Sequence, residues 1–270
     1  MGLTILDRHH TRTFGQGTVP MIFAHGFGCD QNMWRFITPA FEPDYRITVF
    51  DYVGHGESAR SSDAPEPRES LDAYATDVLD IAAALDIRDG VFVGHSVSAM
   101  IGALAAAREP HRFSTLIMIA PSPRYINDTG YVGGFAREDV DDLLDALDSN
   151  YLGWSSTMAP VIMGQPKRPE LASELTNSFC RTDPEVARRF ARVTFLGDNR
   201  ADLPRVHART LVLQCANDVI APESVGRFVH EQLPRSELFL MKATGHCPNL
   251  SAPEETIAAM NAFLAHGDEP

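Results

Sequence analysis

Ser96 stands two residues after a glycine at the end of a short apolar run, Val91-Phe92-Val93-Gly94-His95-Ser96-Val97-Ser98, and small residues follow at once (Ala99, Gly102, Ala103, Ala105). A buried strand, a tight turn and a small-faced helix are the context in which a serine is held out as a nucleophile. The turn forces its central residue into a strained conformation, so the residues two before and two after must be small. Gly94 meets this need, and Ser98 stands where the usual G-x-S-x-G pattern has its second glycine.

A serine hydroxyl attacks a carbonyl only with a base to take its proton, an acid to orient that base and N–H donors for the developing oxyanion. Asp218 and His246 follow Ser96 in the chain order Ser, Asp, His, each just beyond an apolar run: Leu211 to Gln214 and Leu238 to Met241. His25-Gly26-Phe27-Gly28, after the run Met21 to Ala24, offers a glycine-rich loop, so the N–H groups of Phe27 and Val97 are the expected oxyanion donors. Asp51 also follows an apolar run and competes as the acid, but its place in the chain order is wrong. His25 and His95 flank the site and are read as shaping the pocket; Cys247, beside His246, is read as a packing thiol.

Other chemistries fit less well. Gly26 and Gly28 are followed by Gln31 rather than a third glycine, so a dinucleotide fingerprint is missing, and neither a Walker loop nor HExxH occurs. Cys29, Cys180, Cys215 and Cys247 form no CxxC pair, so neither a metal nor a cofactor is expected. An aspartate at the elbow would suit a haloalkane dehalogenase or an epoxide hydrolase; Ser96 argues against both.

The elements that must position these residues can be read from periodicity. Apolar runs at Met21–Ala24, Ile47–Phe50, Val91–Val93, Leu116–Ile119, Leu211–Gln214 and Leu238–Met241 lack polar alternation, as strands buried on both faces do. Helical spacing between several of them, as in Tyr74, Val78, Ile81 and Leu85, predicts an α/β fold with a mostly parallel sheet and helices on both sides. Residues 3–16 read as a leading hairpin. Between about 123 and 200 the strand rhythm stops, and four helices are expected: Val140 to Tyr151, Trp154 to Ile162 interrupted by Pro160, Pro169 to Phe179, and a fourth capped by Asp183 and opened by Pro184. The expected division is a core of 1–122 and 201–270 with a helical lid, 123–200, inserted into a single domain.

With 23 Lys+Arg against 36 Asp+Glu, the 270-residue chain carries a formal charge of -13, which argues against nucleic acid or an anionic membrane surface as partner. Much of the acidity lies around Glu138 to Asp148, on the outward face of the first lid helix, the face expected to meet any protein partner. Lacking a recognisable signal peptide or a long apolar run, the chain reads as cytoplasmic.

Together, His25-Gly26-Phe27-Gly28-Cys29-Asp30-Gln31, Phe50-Asp51-Tyr52-Val53-Gly54, Phe92 to Gly102, Ser122 to Asp128 and Gly133-Gly134-Phe135 resemble the bacterial RsbQ-type stress-signalling hydrolases and the plant strigolactone and karrikin receptor hydrolases. The resemblance runs from the N-terminal segment to the last helix. It implies an α/β-hydrolase fold with an eight-stranded, mostly parallel sheet, a four-helix lid and a triad of Ser96, Asp218 and His246. It also implies an apolar pocket at Phe27, Val97, Tyr125, Phe135, Leu143, Trp154, Met158, Phe195 and Val219. The expected substrate is a small, mostly apolar ester or lactone, such as a butenolide. The alternative it carries is a slow, ligand-sensing hydrolase that positively regulates a stress-response phosphatase.

Overall fold

In a computed structural model, residues 2–59 and 68–266 are described. Seven strands form one sheet in the order β1-β3-β2-β4-β5-β6-β7. They are β1 (Arg12–Phe14), β2 (Val19–Ala24), β3 (Tyr45–Val49), β4 (Gly90–His95), β5 (Phe113–Ile119), β6 (Arg209–Asn217) and β7 (Ser236–Thr244). All neighbours pair in parallel except β1, which runs antiparallel to β3. The central strand β4 is buried along its whole length, and β2 over its last four residues, as their unbroken apolar runs require.

Two expectations are corrected at the N-terminus. Residues 3–16 do not form a hairpin, and the sheet has seven strands among the described residues rather than eight. The segment that would supply the first arm is a one-turn helix, α1 (Ile5–Arg8), because the Thr4 hydroxyl accepts the Asp7 N–H and caps it. The short strand β1 then pairs with β3 instead of with its chain neighbour.

Helices α2 (Leu71–Ala84), α3 (Val97–Arg108), α8 (Glu223–Gln232) and α10 (Pro253–Ala265) accompany the sheet, with a single turn, α9 (Pro248–Ser251), before the last. Two apolar clusters form the core. One, centred on α2 and α3, includes Tyr74, Val78 and Ile101; the other joins Met21, Phe23 and Ile117 to residues of the four helices that follow β5.

Those helices are α4 (Arg137–Ser149), α5 (Tyr151–Met163), α6 (Pro169–Arg181) and α7 (Pro184–Leu196). Val140, Leu144 and Leu147 of α4 are buried while Glu138, Asp139, Asp141, Asp142 and Asp145 face solvent. Helix α5 runs through Pro160 without a break. The missing N–H leaves the Ser156 carbonyl without its helical donor, yet both residues are exposed, so water can serve that carbonyl. Asp183 caps α7 by accepting the N–H groups of Glu185 and Val186.

Candidate active site

The turn between β4 and α3 holds Ser96 at φ 57° and ψ -123°, the left-handed region that a non-glycine residue occupies only under constraint. A Cβ at Gly94 would lie 2.4 Å from the Ser98 carbonyl oxygen, so the close crossing of strand and helix admits only glycine there. Ser98 Oγ is wholly buried and donates to the His25 carbonyl. Its single proton being used, it accepts from the Tyr52 hydroxyl at 2.9 Å. The departure from the glycine pattern thus ties the elbow to the end of β2.

Ser96 Oγ lies 2.7 Å from His246 Nε2, and His246 Nδ1 lies 2.6 Å from Asp218 Oδ2. With Nδ1–H donated to the carboxylate, Nε2 is left as the acceptor for the serine proton. The second Asp218 oxygen accepts the N–H groups of Ile220 at 2.8 Å and Ala221 at 3.1 Å. Burial alone would push the Asp218 carboxyl up, but His246 and these N–H donors outweigh it and hold it below its ordinary value.

The histidine loop is held from three sides. Gly245 N–H donates to the Asn217 carbonyl at 2.8 Å, and His246 N–H to the Ile162 carbonyl of α5 at 2.8 Å. His95 Nε2–H donates to the His246 carbonyl at 2.7 Å. Gln165, just beyond α5, donates to the Thr244 carbonyl and hydroxyl, both at 3.0 Å. Gly245 sits at φ +83°, and a Cβ there would come within 2.0 Å of the Met163 carbonyl oxygen. The end of α5 and the loop carrying His246 are therefore one hydrogen-bonded unit.

No acceptor among the described residues takes the backbone N–H of Phe27 or of Val97. Val97 opens α3, where the N–H groups are free by construction and the helix dipole favours negative charge. Asp51 is committed elsewhere: its carboxylate accepts from the Gln31 N–H and side-chain amide and from the Glu57 N–H, and burial raises its pKa.

The cavity in front of Ser96 is small, leaving about 30 Å³ for water-sized groups. Phe27, His95, Tyr125, Leu143, Trp154, Met158 and Phe195 line it, as expected. Three expected pocket residues do not. His25 stands behind the wall, where Nδ1–H donates to the Gly26 carbonyl and Nε2 accepts the Tyr52 N–H, so it braces the glycine loop. Phe135 packs beside the site, and its N–H donates to the Tyr125 carbonyl. Val219 turns outward and is 55% exposed, while its neighbour Ile220 faces the cavity. The contribution of Val97 is its backbone. Cys29, Ile162, Leu175, Phe179 and Thr194 also line the cavity. Leu175 and Phe179 were legible as an inward stripe of α6, but spacing alone does not tell a core contact from a pocket wall. Cys29 and Cys247 are buried, and burial drives both thiols far up, as inert packing groups.

Strand-end residues on a parallel sheet, a strained serine, a histidine and a carboxylate under a helical cap define a class, and residues 21–259 match the alpha/beta hydrolase family. The chain belongs to that family. It is 36% identical over 252 residues to the strigolactone esterase D14 of Arabidopsis thaliana, covering 93% of this chain and 94% of the relative. It is 33% identical over 267 residues to the karrikin insensitive 2 receptor CA of Petunia hybrida, covering 98% of both. Among solved structures, a hydrolase from Oleispira antarctica superposes with a TM-score of 0.94 at 40% identity, covering 97% of each chain.

Proposed function

We propose that this protein is a serine hydrolase that cleaves a small, mostly apolar ester or lactone through an acyl-enzyme on Ser96. The observation that carries the reading is the continuous chain from Ser96 Oγ to His246 Nε2 at 2.7 Å and from His246 Nδ1 to Asp218 at 2.6 Å. Ser96 Oγ attacks the carbonyl carbon while its proton passes to His246 Nε2. The carbonyl oxygen, now anionic, accepts the N–H groups of Phe27 and Val97. Collapse breaks the bond to the alkoxy oxygen, which leaves with the proton from His246; in a lactone it remains tethered to the acyl group. Water then gives its proton to His246, attacks the acyl carbon and restores the Ser96 hydroxyl. Asp218 keeps His246 in the required tautomer throughout. The apolar cavity wall supports an uncharged substrate, and the names of relatives support ester chemistry.

A fluorophosphonate probe tests the assignment. It should label the protein stoichiometrically on the peptide containing Ser96 and abolish hydrolysis of an aryl ester. Labelling at another residue, or full esterase activity after Ser96 is modified, would sink it.

A second reading, a ligand-sensing signalling hydrolase with a phosphatase partner at the acidic lid face, draws support from the relative named a receptor and from the bonds between α5 and the His246 loop. It expects turnover far below the roughly 10 per second of a median enzyme. It also expects ligand-dependent amide protection in α4 to α7. Fast turnover with unchanged protection removes it.

A further inference from the structure

Three polar atoms break the apolar wall of the cavity: the Tyr125 hydroxyl, Trp154 Nε1 and Thr194 Oγ1. Their residues are 2%, 7% and 4% exposed, so bulk water does not reach them freely. Tyr125 lies beside Ser96, and burial raises its pKa, keeping it a neutral O–H donor. Trp154 Nε1 and Thr194 Oγ1, both on lid helices, have no hydrogen-bond partner.

The state of Thr194 is unusual for its setting. A helical Ser or Thr commonly returns its proton to the carbonyl four residues back, as Ser155, Thr157 and Thr176 do in the same lid. Thr194 makes no such bond in α7 and lines the cavity instead. A buried donor is costly unless something accepts from it. The indole N–H can only donate and the hydroxyl is free to donate, so their counterpart is an acceptor. Apart from the groups around His246, the described lining holds no ionisable cation, which disfavours a carboxylate or phosphate as that acceptor.

Resting on the hydrolase reading above, we infer that the substrate is a neutral ester or lactone whose apolar body carries a second accepting oxygen away from the scissile carbonyl. That oxygen belongs to an ether, a ketone or a second carbonyl, and Trp154 Nε1–H and Thr194 Oγ1–H receive it. A site built to hydrogen-bond a polar group discriminates strongly against an analogue that lacks it, because its own buried donors are then left unpaired.

The test is a set of p-nitrophenyl esters of equal acyl length in which one CH₂ is replaced by an ether oxygen at successive positions, each rate divided by that ester's rate with hydroxide. For the wild type, kcat/KM should exceed that of the all-carbon ester by about tenfold at one position or more, and an ester ending in a carboxylate should be disfavoured. In Thr194→Val, and in Thr194→Val with Trp154→Phe, the ratio should fall toward one. Because each ratio is taken within one protein, a partly unfolded variant does not disturb it. Preference for the all-carbon ester at every position, or a preference that survives in both variants, overturns the inference and leaves the hydrolase reading standing. Hydrolysis of none of the esters would overturn that reading, and the inference with it.

Discussion

Ser98 shows how one hydroxyl changes what a motif position does. A glycine there would satisfy the steric demand of the elbow, but Ser98 also joins the His25 carbonyl to the Tyr52 hydroxyl inside a fully buried site. Ser98→Ala leaves the Tyr52 hydroxyl buried without its acceptor. The expected cost is about 1–3 kcal/mol, the range for an orphaned buried polar group, read as a lower urea midpoint with an unchanged slope. Ser96, Asp218 and His246 were legible in the sequence because each follows an apolar run that can only be a buried strand. His25, Phe135 and Val219 were misplaced for a common reason. Whether a side chain faces a cavity or stands one layer behind it depends on backbone direction, and Val219 and Ile220 differ by one residue yet point to solvent and pocket.

Among the elements, the joint between α5 and the His246 loop matters most for catalysis. Gln165→Ala removes both bonds to Thr244, and Gly245→Ala sets a Cβ against the Met163 carbonyl at a positive φ. Small displacements of a catalytic group can cost on the order of 100-fold in rate. Gly245→Ala should therefore lower kcat by about that factor, and Gln165→Ala by about tenfold. Faster hydrogen exchange at the His246 N–H would show that the joint had loosened. Unchanged kcat in both variants would mean that the lid and the loop act independently. Six strands and the lid helices could be read from apolar runs and caps. The leading hairpin could not, since the local cap of Thr4 on α1 outweighed the pattern of residues 3–16.

For the molecule as a whole, buried histidines set the response to acid. Burial, named first among the causes, lowers His25 to about 4 and His55 and His95 to about 3. Below the unfolded value of about 6.5, the unfolded chain takes up protons that these rings refuse, so stability is full above that pH and falls as pH drops toward 3 to 4. By pH 4.5 the loss is on the order of 2 kcal/mol for each such histidine. The lowered Asp218 acts in the same direction at still lower pH. Thermal melting from pH 8 to 4.5 should show a plateau above about 6.5 and a steep decline below it, and His55→Phe should flatten that decline. A melting temperature that holds down to pH 4.5 would contradict this picture. The charge of -13 resides in a solvated shell, partly on the outer face of α4, while the cavity wall is apolar.

The most direct test of the central claim is kcat/KM for a neutral aryl ester, measured on the wild type and on Ser96→Ala, with circular dichroism to show that both fold. The account predicts a fall of roughly 10⁴-fold or more. Activity within tenfold of wild type would mean that Ser96 is not the nucleophile.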